Sequence, residues 1–334
     1  MASLSGFFRY IVPILVALYG IYYWQFVASR RYFTADVELK GKTVIVTGGN
    51  SGIGKETALD LARRGARVIL ACRNLQKAED AAKDIRTRTG NSEVVVRHLD
   101  LGNLQSVRNF SSKIVESEER LDILINNAGV AKWQTDGVIA TKDNFDFVFG
   151  INHLGHFLLT NLLLDLLKKS ASSRVVTVSS LLHSNAPSVL NMTRADPDVA
   201  SFLYPHLESY PVSKLANILF ASELARREAS SGVISTSLHP GVIYTPIWKT
   251  HMLVESRFKA AMYYVMSPIM WLMMIDEEAG AQTTIHCALD DSVANFSGSY
   301  FDNCQVAPPS ALAQDDELAR RLWEVSCEAT GLDC

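Results

Sequence analysis

The sequence predicts an α/β fold: a single domain on a doubly wound parallel sheet, preceded by an apolar helix. Three observations point that way. From Thr43 onward, apolar runs of β-forming residues alternate with stretches of helical periodicity. The first run, Val44-Ile45-Val46, leads into Thr47-Gly48-Gly49-Asn50-Ser51-Gly52-Ile53-Gly54 and then a helical pattern from Lys55 to Arg64. From Tyr10 to Ser29 no residue is charged.

The uncharged run comes first in the chain. Twenty helical residues span about 30 Å, the thickness of a bilayer core. Tyr19, Tyr22, Tyr23 and Trp24 cluster toward one end, as interfacial aromatics do, and Arg30-Arg31 closes the run. A cleaved signal peptide would have a shorter apolar core and small residues at its cleavage site. The pattern favours an uncleaved single-pass transmembrane helix over residues 1–31, in the endoplasmic reticulum or another intracellular membrane. More arginine follows the run than precedes it, where Arg9 stands alone, so the rest of the chain is expected on the cytosolic side. Residues 32–40 read as a linker, and 41–334 as the catalytic domain.

Strands are expected at Thr43–Thr47, Arg67–Ala71, Val94–His98, Ile123–Asn126, Arg174–Val178, Ser235–His239 and Ser299–Phe301. Helical patterns separate them, which implies right-handed crossovers and a Rossmann-type parallel sheet covered on both faces. Ligands of such sheets lie at the carboxyl ends of the strands. The stretch Leu182–Ser209 breaks the periodicity with Pro187, Pro197 and Pro205 and reads as an excursion over the surface.

The chain has 334 residues, 48% hydrophobic and 20% charged, which supplies ample apolar mass for a core. A net charge of −3 with scattered basic residues gives no electrostatic case for nucleic acid. The five cysteines, Cys72, Cys287, Cys304, Cys327 and Cys334, form no Cys-x2-Cys pair, so reduced thiols are expected rather than a disulfide framework. His153 and His156 have helix spacing suited to a metal, but no second pair of ligands is nearby and no metal is expected.

The glycine-rich turn carries the first chemical signal. Glycine permits positive φ and close backbone approach, and a helix N-terminus offers free N–H groups to a pyrophosphate. Strand, glycine turn and helix in that order make a dinucleotide site. The second signal is Tyr210-Pro211-Val212-Ser213-Lys214: on a helix the phenol and the ammonium share one face. A cation beside the phenol is expected to lower its pKa. A nicotinamide site with a tunable proton donor is what a carbonyl reductase or alcohol dehydrogenase needs. Cofactor choice is legible after the second strand, at Ala71-Cys72-Arg73-Asn74. No acid is present there for a ribose 2′-OH, and Arg73 can pair with a 2′-phosphate, so NADP(H) is expected.

Thr-Gly-x3-Gly-x-Gly, Asn126-Asn127-Ala128-Gly129, a strand-end serine and Tyr-x3-Lys occur here in one order. Together they resemble the short-chain dehydrogenase/reductase family, from about Lys40 to the C-terminus. Leu70-Ala71-Cys72-Arg73-Asn74, Asn152-His153-Leu154-Gly155-His156-Phe157, Ser213-Lys214-Leu215-Ala216-Asn217 and Arg320-Arg321-Leu322-Trp323 resemble its membrane-bound retinol dehydrogenase group more closely. The resemblance implies that Tyr210 is the proton donor and that Ser180 rather than Ser179 polarises the carbonyl. Lys214 would also hold the nicotinamide ribose, and Asn152 a water on a relay to Lys214. Asp100 would sit near the adenine, Asn127, Ala128 and Gly129 under the cofactor backbone, and Pro240 and Thr245 on the nicotinamide side. The Met- and aromatic-rich stretch Ala260–Ile275 falls where the family has its substrate lid and would suit a small apolar lipid such as a retinoid. Helices Phe145–Leu167 and Val212–Arg227 pair subunits in relatives, so a homodimer is a further expectation.

The expected reaction is interconversion of a lipid aldehyde and alcohol, all-trans-retinal and retinol by resemblance. A ketosteroid, polyprenal or other lipid-carbonyl reductase fits the same residues. So does a membrane interaction scaffold that keeps only the fold, although intact Ser180, Tyr210 and Lys214 argue against it.

Overall fold

The computed structural model describes residues 12–24, 28–131, 140–170, 172–186, 209–241, 243 and 275–333. Helix α1, Val12–Tyr23, is twelve residues long. At 1.5 Å per residue it reaches about 18 Å, short of a hydrocarbon core of about 30 Å. Among the described residues no helix is long and apolar enough to cross a membrane. The predicted span ran from Tyr10 to Ser29, and residues at both ends of α1 lie outside the described set.

The strands follow the predicted order: β1 (Thr43–Thr47), β2 (Arg67–Cys72), β3 (Val94–His98), β4 (Ile123–Asn126), β5 (Arg174–Val178), β6 (Ile234–His239) and β7 (Tyr300–Asp302). Sequence reading missed β8 (Gln305–Val306), a two-residue strand antiparallel to β7. Two residues carry no periodicity to detect. The sheet order is β3-β2-β1-β4-β5-β6-β7-β8, so the winding reverses between β1 and β4.

Alternation along the strands sorts the core into two layers. Val44, Val46, Val68, Leu70, Ile123 and Ile125 face helices α2 (Gly52–Arg63) and α3 (Leu75–Thr89) on one side. Ile45, Ile69, Leu124 and Val175 face the other side, against α4 (Leu104–Ser117) and the residues around Phe157. Every residue of β1 is buried, as expected of a central parallel strand.

Helix α5 is interrupted. Phe147–Phe149 and Gly155–Leu162 are α-helical, and Gly150–Leu154 between them is a π-helical turn. The short α6 (Leu164–Lys169) follows, then α7 (Ser209–Arg227) and α8 (Glu277–Leu289). The last helix, α9 (Asp316–Thr330), lies over the side expected to meet a second subunit. Its Trp323 packs against Phe157 at 4.9 Å and stacks on Phe220 at 5.8 Å between ring centres. Residues 151–160 are all buried within the chain.

The linker residues touch the domain: Arg64 donates to the carbonyl oxygen of Ala35 at 2.8 Å, and Phe33 N–H donates to Gln282 at 3.0 Å. One expectation changes. Cys327 is disulfide-bonded, its partner lying outside the described residues, whereas Cys72, Cys287 and Cys304 are free thiols. An odd cysteine count excludes complete pairing but not a bridge.

Candidate active site

A cleft of about 460 Å³ opens at the carboxyl ends of the strands, beside the β1/β4 reversal. Gly48, Asn50, Ser51, Gly52, Ile53 and Gly54 form one wall. Gly48 has φ +66°, a conformation that costs an L side chain energy, and a side chain at Gly54 would run into Asn127 and the Gly48 carbonyl oxygen. The tight turn therefore brings backbone to the edge of the cleft, at the N-terminus of α2. Burial pushes the thiol of Cys72, beside this turn, up to about 11. Cys72 is thus an inert, buried free thiol.

Thr47 ties this wall to the next. Its hydroxyl oxygen accepts from the N–H groups of Asn127, at 2.9 Å, and Ala128, at 3.0 Å. The Asn127 amide donates to the Thr47 carbonyl oxygen at 2.8 Å. His156 lies on the same hydroxyl, with Nε2 at 2.9 Å, and its Nδ1 is 3.0 Å from the carbonyl oxygen of Asn152. Burial pushes His156 down to about 4, so the ring is neutral. The network then assigns the proton to Nδ1, which donates to Asn152, while Nε2 accepts from Thr47. His153 is engaged separately, by Ser326 Oγ at 2.9 Å. Both histidines thus have structural partners.

Asn152 sits in the π-turn of α5, where the backbone register shifts by one residue. Its side-chain oxygen accepts from Val130 N–H at 2.8 Å, and its amide donates to the Val130 carbonyl oxygen at 2.9 Å and to Ser213 Oγ at 3.0 Å. This clamp ties the backbone at Val130 to α7. Asp100 lines the cleft and caps a turn, accepting from Gly102 N–H at 3.1 Å.

Lys214 and Tyr210 reach the cleft from α7. The Lys214 ammonium is buried, donates to the Val178 carbonyl oxygen at 3.1 Å and lies 5.6 Å from the centre of the Tyr210 ring. Burial pushes its pKa down to about 8. Burial raises the Tyr210 pKa, opposed by a hydrogen bond from Ser180. The expectation that the cation lowers the phenol is thus corrected. Both groups have left water, and the ammonium is directed to a carbonyl rather than to the phenol oxygen. The two serines have different partners. Ser179 Oγ donates to the Lys214 carbonyl oxygen at 2.6 Å, bracing the helix, and Ser180 is the one that reaches Tyr210.

At the far end Arg73 and Lys77 line the cleft on either side of Asn74, which caps α3 by accepting from Lys77 N–H at 3.0 Å. Both are exposed, and no described carboxylate lies within ion-pair distance of either. Lys77 was missed by sequence reading, although its place one helical turn beyond Arg73 is the signal that finds it. Pro240 lines the cleft after β6, and Thr245 lies outside the described residues, as does Ala260–Met274 of the expected lid.

The chain matches the family described as short chain dehydrogenase over residues 42–192. It is 44% identical to retinol dehydrogenase 13 of Homo sapiens, over 97% of this chain and 96% of that protein. It is 46% identical to retinol dehydrogenase 11 of Homo sapiens, over 91% and 90% of the two chains. An uncharacterised protein of Mycobacterium paratuberculosis, of known structure, superposes with a TM-score of 0.67 at 34% identity, over 91% of this chain and 99% of that one. The L-sorbose reductase of Gluconobacter frateurii, solved with NADPH and L-sorbose, shares the fold at 22% identity and a TM-score of 0.63, over 80% and 96%. With its glycine turn, buried lysine and tyrosine at one cleft, the chain belongs to the short-chain dehydrogenase/reductase family, in its retinol dehydrogenase group, and is a nicotinamide-dependent oxidoreductase.

Proposed function

We propose that the protein uses NADP(H) to interconvert a lipid aldehyde and its alcohol, all-trans-retinal and retinol in the first instance. The observation that carries this reading is the meeting of Tyr210, which Ser180 reaches by a hydrogen bond, with Lys214 in a cleft that Arg73 and Lys77 also line. The glycine turn and the N-terminus of α2 suit a pyrophosphate. Arg73, with Lys77, suits a 2′-phosphate. The bound cofactor supplies or accepts the hydride. Tyr210 gives its proton to the carbonyl oxygen, Ser180 donates a hydrogen bond to it, and Lys214 stabilises the phenolate left behind. Asp100, Asn127, Ala128, Gly129 and Pro240 shape the cofactor walls, and Asn152 holds the Gly129–Val130 backbone beside Lys214. The retinoid follows from the names of the relatives, retinol dehydrogenases 11 and 13.

The protein acts at a membrane. Helix α1 is apolar throughout, and Ile14, Val16, Leu18 and Ile21 are each more than half exposed. An apolar helix with these side chains exposed suits lipid. The anchor extends over residues 1–31 as a single span of an intracellular membrane, with residues 41–334 on the cytosolic side. The test is NADPH oxidation by detergent-solubilised full-length protein with all-trans-retinal, a ketosteroid and a polyprenal in parallel. NADPH consumption fastest with retinal is expected. A preference for another carbonyl reassigns the substrate, and no turnover with tight NADPH binding favours a scaffold.

A further inference from the structure

Residues 29–31, which join α1 to the domain, lie on the β7–β8 hairpin. Arg31 N–H donates to Asn303 at 2.9 Å, and Asn303 donates to the Ser29 carbonyl oxygen at 3.3 Å. The Arg30 guanidinium stands 3.5 Å from Asp302. A side chain at Gly241 would meet it at 2.8 Å, so the guanidinium packs directly under the turn that follows β6. The same carboxylate oxygen of Asp302 is 3.2 Å from His239 Nε2, and Gly241 N–H donates to His239 Nδ1 at 3.0 Å. Burial pushes the Asp302 carboxyl up, but His239 and Arg30 together hold it below the usual range.

The chain of contacts continues inward. His239 stacks on Tyr300 at 6.4 Å, and Tyr300 meets His183 at 5.2 Å between ring centres. His183 is buried, with Nδ1 2.8 Å from the Ser180 carbonyl oxygen and Nε2 accepting from Ser310 N–H at 3.0 Å. One end of the array is Pro240, which lines the cleft, and the other is Ser180. Its outermost member is an arginine on the segment that leaves α1.

We infer that Arg30 is a positioning residue of the active site: through Asp302, His239, Tyr300 and His183 it fixes the turn after β6 and the strand end that carries Ser180. The N-terminal segment then does more than hold the protein at a surface. Arg30 acts through other groups and touches no reacting atom. The inference rests on the proposed reading of Ser180 and Pro240 as parts of the cofactor and substrate site.

The experiment uses full-length protein in detergent and compares wild type, Arg30→Ala, Arg30→Lys, Arg30→Asp and the reciprocal pair Arg30→Asp with Asp302→Arg. NADPH affinity by fluorescence titration, kcat and KM for all-trans-retinal, and thermal stability are measured on each. Arg30→Ala should weaken NADPH and raise KM by about tenfold, short of the ~100-fold that an ångström of misplacement can cost. Arg30→Lys should recover most of this, and the reciprocal pair should recover more than Arg30→Asp alone. A variant whose melting temperature falls while NADPH affinity and KM stay at wild-type values would overturn the inference, as would a reciprocal pair that recovers nothing. If the wild type binds NADPH but leaves retinal unchanged, the substrate reading fails, and the array is still judged on NADPH affinity.

Discussion

The Lys214 ammonium donates to the carbonyl oxygen of Val178 at 3.1 Å, and the amide of Asn217 donates to the same oxygen at 3.1 Å. The carbonyl therefore keeps a partner if the lysine is removed. Lys214 itself is buried, and its pKa falls from 10.5 to about 8. The unfolded chain keeps this proton up to about pH 10.5 and the folded chain only up to about pH 8, so stability rises with pH across that window. Below it the buried charge costs on the order of 3 kcal/mol. Lys214→Met should therefore raise the melting temperature at pH 7, flatten the rise between pH 8 and 10.5, and abolish turnover. A less stable variant at pH 7 would show that the ammonium holds α7 in place and is no burden to the fold.

Tyr210→Phe removes the hydroxyl and little volume. Loss of a general acid costs ~10²–10⁴-fold in rate. NADPH affinity should change little. Because burial raises the Tyr210 pKa, the phenol stays protonated at neutral pH, and the alkaline fall in the reductive rate should follow Lys214, near 8. Turnover close to wild type in Tyr210→Phe would exclude this proton donor.

The residues that make up this site were legible in the sequence because each lies at a strand end or in a short motif. Gly48, Gly54 and Arg73 follow β1 and β2, and Tyr210 and Lys214 are one helical turn apart. What supports them was not legible. Thr47 meets Asn127 across 80 residues and His156 across 109, and Asn152 meets Ser213 across 61. No local pattern encodes such pairings. The direction of the Tyr210 shift was misread for a related reason: spacing places the cation near the ring, but only packing shows how deeply both are buried and that the ammonium faces Val178.

Arg73→Ala should weaken NADPH by about ten- to a hundredfold, the value of one charge-assisted contact, and leave NADH nearly unchanged. Lys77→Ala should weaken NADPH in the same sense and by less, since an ammonium offers no bidentate fork. Side-by-side titrations of both cofactors decide the point. Wild-type preference for NADH would contradict the argument from the missing acid.

Orientation at the membrane can be read from acceptor sites within the chain. Asn109-Phe110-Ser111, Asn191-Met192-Thr193 and Asn295-Phe296-Ser297 fit the glycosylation pattern. Asn191 lies outside the described residues. Asn109 is exposed on α4, where its side-chain oxygen accepts from Gln105 at 2.9 Å, and a regular helix is a poor acceptor conformation. Asn295 is exposed near the end of the 3₁₀ turn Asp291–Phe296, just before Gly298, and is the better of the two described sites. Three cysteines are free thiols and one is bridged, so the thiols alone leave the compartment open, and the arginines carry the argument. Arg30-Arg31 follows the apolar run and only Arg9 precedes it, and the proposed cytosolic orientation rests on this bias. Expressed in a eukaryotic cell, the protein should show no mobility change on glycosidase treatment. Moving the arginine pair ahead of the run should reverse the orientation and produce a shift, one that Asn295→Gln removes at least in part. A shift in the unaltered protein would put the domain in the lumen, away from a reduced cytosolic NADPH pool, and reduction as the physiological direction would lose its support.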